Sequence, residues 1–101
     1  MTRIILACAA GMSTSLLVSK MNMAAVKSGV SVKIQAVPEN DFAKYANDTD
    51  ILLLGPQVSY TLGKMKEEYE PKGIKVAVIN SMDYGMMNGE KVLKEALSMV
   101  N

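Results

Sequence analysis

The chain has 101 residues, half of them hydrophobic, and a formal net charge of +1 at pH 7, so we expect one domain spanning residues 1–101 with a modest core. The near-neutral charge, without a run of like charges, excludes a strongly basic nucleic-acid module, and we expect no nucleic-acid partner. One cysteine and no histidine leave no intramolecular disulfide and no ligand set for zinc, so neither a metal nor a cofactor is expected.

The same composition bears on where the protein works. A lone cysteine is typical of a reducing compartment, where disulfides are rare. No segment has the length and apolar character of a membrane-spanning helix, and none has the pattern of a signal peptide. We therefore expect a soluble, cytoplasmic protein, and a monomer that docks transiently with its partners.

Four segments of the chain are predicted to be strands, and each precedes a predicted helix. Ile4–Ala7 and Ile51–Leu54 are uninterrupted apolar runs, as in central strands covered on both faces, whereas Val30–Val37 alternates apolar with polar residues, as an edge strand does. Ile74–Ile79 is the fourth predicted strand. The predicted helices are Ser13–Ser28, Glu39–Asn47, Val58–Tyr69 and Glu90–Val100, with a polar loop at Asn80–Asn88.

This alternation of strand and helix predicts a three-layer α/β fold. Crossover connections between successive strands produce a parallel sheet with helices on both faces. With the two apolar strands in the centre and the alternating strand at an edge, the predicted strand order is 2-1-3-4. Ligands of such sheets bind outside the carboxyl ends of the strands where the direction of winding reverses. The segments at that point are Cys8–Ser15 and Gly55–Ser59.

The segment Cys8–Ser15 joins the first strand to the first helix, and its composition predicts a phosphate site. The first N–H groups of a helix have no internal partner and carry partial positive charge, so they bind phosphate and also stabilise a thiolate at Cys8. Gly11 permits a close or left-handed backbone, and the hydroxyls of Ser13, Thr14 and Ser15 add donors. A sulfur nucleophile facing such a loop indicates phosphoryl transfer.

The loop lacks the arginine that ends the corresponding loop of cysteine-dependent phosphatases, because the residue that follows Cys8 and five intervening residues is Thr14. An arginine on the transition-state oxygens is worth roughly 10³–10⁵ in rate elsewhere in phosphoryl transfer, so hydrolysis should be slow here. Asp83 is only a remote candidate for a carboxylic general acid. The missing arginine favours a protein that holds a phosphate on sulfur and passes it on intact.

Three motifs, at Cys8–Met21, Leu53–Val58 and Asp83–Gly85, closely resemble the IIB component of the bacterial phosphoenolpyruvate-dependent sugar phosphotransferase system, lactose/cellobiose/chitobiose class. The resemblance implies a fold similar to the low-molecular-weight tyrosine phosphatases. It also implies that Cys8 accepts phosphate from a phosphohistidine on a IIA protein. The phosphate then passes to a β-linked disaccharide of the cellobiose, chitobiose or lactose type, imported through the membrane protein IIC. By motif, the phosphate-binding residues are Ala9, Ala10, Gly11, Met12, Ser13, Thr14 and Ser15.

Several of these residues also have plainer interpretations. A lone cysteine after an apolar strand is often a small buried hydrophobe, and Ser13 also fits an ordinary helix cap. Gln57 and Tyr84 lie in neighbouring segments, where we expect them near the rim of the pocket without an assigned chemistry. Two other functions remain alternatives to the phosphoryl carrier: a cysteine-dependent phosphatase of low activity, and a non-catalytic anion-binding or thiol-sensing module.

Overall fold

The computed structural model describes residues 1–9 and 12–100, without the side chains of residues 12–14. Within these residues, four strands form one sheet in the order β2-β1-β3-β4. All three neighbouring pairs are parallel, so the predicted fold class and strand order are confirmed. The strands are β1 (Thr2–Cys8), β2 (Val32–Pro38), β3 (Ile51–Leu54) and β4 (Lys75–Val78).

In the part of the chain that the structure describes, two α-helices and several short 3₁₀ turns connect the strands, and two further α-helices follow β4. The helices are α1 (Met12–Ser28), α2 (Leu62–Tyr69), α3 (Ser81–Gly85) and α4 (Gly89–Ser98). The predicted helix at Glu39–Asn47 is instead a pair of 3₁₀ turns, Glu39–Lys44 and Ala46–Asp48. Its asparagines and aspartates are poor helix formers because their side chains compete for backbone hydrogen bonds.

The segment predicted as the third helix begins with a 3₁₀ turn, Pro56–Thr61, and becomes α-helical only at Leu62. Val58 interrupts the helical backbone there, at φ −117° and ψ 23°. Its side chain is buried in the core, so tertiary packing outweighs the helical pattern of the sequence at this point.

The prediction of a loop at Asn80–Asn88 is wrong, because this segment contains α3. Asn80 caps that helix: its Oδ1 accepts hydrogen bonds from the backbone N–H of Met82 at 2.9 Å and of Asp83 at 3.2 Å. Asn88 caps α4 in the same way, accepting from the N–H of Lys91 at 3.2 Å. The two asparagines that suggested a loop are therefore helix caps.

The sheet separates two apolar layers, and alternate residues of β1 contribute to opposite layers. Ile4 and Leu6 face the layer that contains α1, α3 and α4, with Leu17 and Met21 of α1 fully buried against them. On the other face, Ile5 and Ala7 pack with Phe42, Val58 and Tyr69. Burial of each large side chain contributes about 1.5–3 kcal/mol, and β1, like β3, lies between two strands and two layers.

At the amino ends of the strands, Arg3 and Asp50 form a two-point contact. The guanidinium donates from Nε to Oδ2 at 3.2 Å and from NH2 to Oδ1 at 3.1 Å, and the backbone N–H of Arg3 donates to Oδ2 at 2.8 Å. The side-chain hydrogen bonds from Arg3, reinforced by its backbone N–H, hold the pKa of Asp50 below its usual value. The same hydrogen bonds raise the pKa of Arg3.

Replacement of Gly89 by alanine should destabilise the fold by about 1–3 kcal/mol. An added Cβ would lie 2.5 Å from the backbone carbon of Lys20 and 2.5 Å from the backbone nitrogen of Met21, so α4 would have to move away from α1. Gly63→Ala is the matched control, since nothing lies within 4 Å of the position that its added Cβ would occupy. That control should stabilise the protein by up to about 1 kcal/mol. Urea unfolding measures both; equal effects would contradict the close approach of α1 and α4.

Asp50→Asn should lower the free energy of unfolding at neutral pH. In acid, the variant and the parent should be equally stable. A carboxyl whose folded pKa lies below the unfolded value of about 3.9 stabilises the fold above that pH, and the contribution disappears as the pH falls through the folded pKa. Urea midpoints of variant and parent should therefore differ at pH 7 and converge near pH 2. Asp48→Asn removes a carboxylate that is 85% exposed and 3.8 Å from Arg3, and should change little at either pH. A constant difference for Asp50→Asn across the range would contradict the account.

Candidate functional site

Cys8 is the last residue of the central strand β1, at the carboxyl edge of the sheet. Its register partner in β2 is Pro38, the last residue of that strand. On the other side, the backbone N–H of Gly55, just beyond β3, donates to the carbonyl of Ala7 at 2.8 Å. Cys8 is 2% exposed, so the two neighbouring strands hold the thiol in a nearly enclosed position.

The absence of a side chain at Gly55 leaves room for two neighbours, the carboxamide of Gln57 and the Cβ of Cys8. Leu6 and Leu53 are register partners and share the α1 face of the sheet, so two residues further along Cys8 and Gly55 lie on that same face. A Cβ on Gly55 would stand 3.2 Å from the Cβ of Cys8 and 2.8 Å from Oε1 of Gln57. The Gly55 backbone has φ −63° and ψ 152°, which any residue adopts. Glycine is therefore needed here for close approach, a role that the sequence alone did not indicate.

The structure describes only part of the predicted phosphate loop. Ala9, the residue after Cys8, is exposed and lies in a bend. Ser15 is exposed in the first turn of α1. Ala10 and Gly11 lie outside the described residues, as do the side chains of Met12, Ser13 and Thr14. The backbone of α1 begins at Met12, four residues after the thiol.

The start of α1 carries no acidic side chain. Its first turn contains neither aspartate nor glutamate, so no carboxylate of that turn competes with an incoming anion for the positive end of the helix dipole. The electrostatics of this helix start therefore favour a negatively charged group near Cys8.

The sole arginine of the sequence, Arg3, lies at the opposite end of β1 from Cys8. Their Cα atoms are five steps apart along the extended strand, which is about 16 Å at the usual rise per residue. Arg3 is also held there by its hydrogen bonds with Asp50. The guanidinium clamp of a cysteine-dependent phosphatase is therefore missing from the whole site, and not only from its loop.

Tyr84, expected near the rim, is 8% exposed and packs in the apolar layer with Leu17 and Leu93. Its backbone N–H donates to the carbonyl of Asn80 at 2.9 Å. Gln57, the other expected rim residue, is exposed at its turn, while its carboxamide lies next to Gly55 and the side chain of Cys8. The structure therefore brings the Gln57 carboxamide to Gly55, beside the Cβ of Cys8, and buries Tyr84 in the layer that contains Leu17 of α1.

Asp83, the remote candidate for a general acid, is tied to α4. Its side chain is 7% exposed, and Oδ1 lies 3.7 Å from Nζ of Lys91. Oδ2 has no hydrogen-bond partner within the described part of the chain. The sequence offered no local signal for this pair, because eight residues and a change of helix separate its members. The ion pair of Asp83 and Lys91 links α3 to α4.

Within residues 1–9 and 12–100, cysteine and acidic side chains do not converge in groups of three or more that could hold a metal ion. None of the helices in these ranges combines the length and the hydropathy that spanning a bilayer requires.

The chain is similar to proteins of known family over nearly its whole length. The family model described as "PTS system, Lactose/Cellobiose specific IIB subunit" matches residues 3–95. A galactose-specific EIIB component of Lactococcus lactis subsp. cremoris (strain MG1363) is 47% identical, with 97% of this chain and 95% of that protein covered. A cellobiose-specific EIIB component of Lactococcus lactis subsp. lactis (strain IL1403) has the same identity and coverage. A lactose-specific EIICB component of Lactococcus lactis subsp. lactis is 30% identical to this chain. The matched region covers 82% of this chain and 15% of that longer protein.

Solved structures support the same grouping. The cellobiose-specific IIB component of Borrelia burgdorferi overlaps with a TM-score of 0.78 at 39% identity, covering 96% of this chain and 89% of that one. The lactose-specific IIB domain of Streptococcus pneumoniae gives 0.86 at 22% identity, covering 96% and 95%. A mutant of YwlE from Bacillus subtilis gives 0.65 at 11% identity, covering all of both chains. The last two show the fold alone. Because YwlE is a low-molecular-weight tyrosine phosphatase, the expected likeness of fold to those phosphatases is confirmed.

Lys91→Met should destabilise the protein by about 1–3 kcal/mol, because the buried Asp83 carboxylate would lose its cation. Lys94→Met, an exposed change on the same helix, should stay within about 0.5 kcal/mol of the parent. Adding Asp83→Asn to Lys91→Met should recover most of the loss, since it removes the uncompensated charge. Chemical denaturation of the four proteins measures these values; a double variant no more stable than Lys91→Met would contradict the pairing.

Proposed function

Because the chain belongs to the lactose/cellobiose-specific IIB family of the sugar phosphotransferase system, we propose that Cys8 is the residue that carries its phosphoryl group. The observation that supports this most strongly is the placement of the sole cysteine. It ends the central strand at the carboxyl edge of the sheet, four residues before a helix start that carries no acidic side chain. Parallel α/β sheets bind their ligands at this edge.

In the first step, the Cys8 thiolate attacks the phosphorus of a phosphohistidine on a IIA protein. The S–P bond forms as the N–P bond breaks, and the histidine nitrogen recovers its electron pair. The chain contains no histidine of its own, so the phosphohistidine must come from another protein. The near enclosure of Cys8 restricts the access of water, which limits loss of the phosphate by hydrolysis.

In the second step, a sugar hydroxyl attacks the same phosphorus. The S–P bond breaks, the thiolate is regenerated, and the hydroxyl proton is released. The proposed acceptor is a β-linked disaccharide of the cellobiose, chitobiose or lactose type. Galactose-specific and cellobiose-specific relatives match this chain equally well, which supports a choice of sugar made mainly by the membrane partner.

The proposed cradle for the phosphoryl oxygens is the backbone of Ala9–Ser15, with the hydroxyls of Ser13, Thr14 and Ser15. Unpaired N–H groups at a helix start bind phosphate through direct hydrogen bonds and through the helix dipole. A cradle of neutral donors holds the three oxygens without a guanidinium. Phosphoryl storage on sulfur is therefore favoured over the hydrolysis that a phosphatase performs.

The proposed partners are a IIA protein as donor and a IIC protein as the membrane component that presents the sugar. The lactose-specific relative named EIICB supports the second partner, because this chain matches a 15% share of that longer protein. The IIB chain would work in the cytoplasm, as a monomer that meets each partner in turn.

Incubation with phosphorylated IIA should add the mass of one phosphate to the chain, and iodine should remove it, as expected for a thiophosphate. Cys8→Ser should gain no iodine-labile phosphate and pass none to sugar in membranes containing IIC. Intact mass spectrometry and labelled-sugar transfer measure the two effects. No gain of mass by the parent chain would contradict the proposal, and steady release of phosphate from an aryl phosphate would favour a phosphatase instead.

A further inference from the structure

Gln57 lies in a turn that the core anchors, with its carboxamide at Gly55 and near the Cβ of Cys8. Pro56 fixes the backbone on one side of it. On the other side, Val58 is buried in the core, and its N–H donates to the carbonyl of Gly55 at 3.0 Å. The hydroxyl of Thr61 donates to the carbonyl of Val58 at 2.7 Å and closes the next turn. Although Gln57 itself is exposed, its position is therefore set by buried neighbours.

The carboxamide of Gln57 folds back over Gly55 instead of extending into solvent. Its Oε1 lies 2.8 Å from the point where a Gly55 Cβ would stand, and the Cβ of Cys8 lies 3.2 Å from that same point. The end group of Gln57 and the side chain of Cys8 are thus neighbours across the glycine. Rotation about the last torsion of Gln57, which is soft, exchanges the oxygen and the NH₂ group.

A carboxamide suits a phosphoryl group carried on sulfur. It offers two N–H donors and remains uncharged at every accessible pH. The oxygens of the phosphoryl group are acceptors, and hydrogen bonds to charged groups are the stronger kind. A neutral donor holds these oxygens without the full positive charge that, as an arginine, would speed attack by water.

We propose that Gln57 donates an N–H hydrogen bond to the phosphoryl group on Cys8, and that residue 55 is glycine because a methyl group would occupy the space of this contact. The inference rests on the proposed function, since it requires the phosphorylated thiol. It makes Gln57 a phosphoryl-binding residue that lies outside the loop following Cys8.

Two variants of Gln57 separate hydrogen bonding from the filling of space. Gln57→Met keeps the length of the side chain and removes the donors. Gln57→Glu keeps its shape and places an anion beside the phosphoryl group. The measurement is the equilibrium partition of phosphate between phosphorylated IIA and this chain, read by intact mass. For Gln57→Met we expect the equilibrium share of phosphate on this chain to fall roughly tenfold, the usual effect of losing a hydrogen bond to a charged group. For Gln57→Glu it should fall further, because two negative charges would then be neighbours.

The second glutamine of the chain, Gln35 in the edge strand β2, provides the matched control. Gln35→Glu makes the same chemical change beside a hollow lined by Arg3 and Lys33, away from the carboxyl edge of the sheet. It should leave the phosphate partition unchanged. Thermal midpoints of both Gln57 variants should match that of the parent, because the side chain is exposed.

Gly55→Ala tests the space around the contact. The added methyl group should displace the Gln57 carboxamide and reproduce the partition of Gln57→Met. The double variant Gly55→Ala/Gln57→Met should then show no further loss. Losses that multiply in the double variant would show that the methyl group acts on Cys8 directly, and would overturn the assignment of Gly55.

The outcomes distinguish this inference from the proposed function. A parent chain that gains no phosphate refutes the proposed function itself. A parent chain that is phosphorylated, together with Gln57→Met and Gln57→Glu proteins whose partition stays within twofold of the parent, overturns the role of Gln57 alone.

Discussion

The parallel pairing of β1 with β2 on one side and β3 on the other is the constraint on which the site depends. Because β1 is enclosed by two strands and two apolar layers, its last residue has little freedom of position. That residue is Cys8, and α1 begins four residues later, at Met12. The packing of Leu17 and Met21 under the sheet fixes the helix in turn. Core packing therefore fixes the geometry between the thiol and the start of the helix.

The ends of the sheet differ in their charge. At the amino ends, Arg3 and Asp50 form charged hydrogen bonds. At the carboxyl ends, Cys8 lies beside Gly55 and the carboxamide of Gln57, groups that carry no formal charge. A full positive charge near the thiol would favour hydrolysis of a bound phosphoryl group, so the separation of Arg3 from Cys8 suits transfer better than cleavage.

Much of this arrangement follows from the sequence, because hydrophobic pattern and burial are closely related. The unbroken run Ile51–Leu54 could only be a central strand, and the strand order followed from it. The helix caps at Asn80 and Asn88 were harder to predict, because asparagine is favoured both in turns and at helix N-caps. Contacts across the fold had no local signal at all. The role of Gly55 depends on a side chain in another strand, and the contact of Gly89 with the backbone of α1 depends on how two helices meet.

The proposed phosphoryl transfer depends on one claim, that the phosphoryl group is bonded to the sulfur of Cys8. The ³¹P NMR spectrum of this chain after phosphorylation by IIA tests the claim most directly, because phosphorus on sulfur, nitrogen and oxygen resonates in distinct ranges. The account predicts one S-phosphate resonance, which disappears when sugar and IIC membranes are added. A resonance of oxygen- or nitrogen-bound phosphate on this chain, or an S-phosphate signal that sugar and IIC leave unchanged, would contradict it.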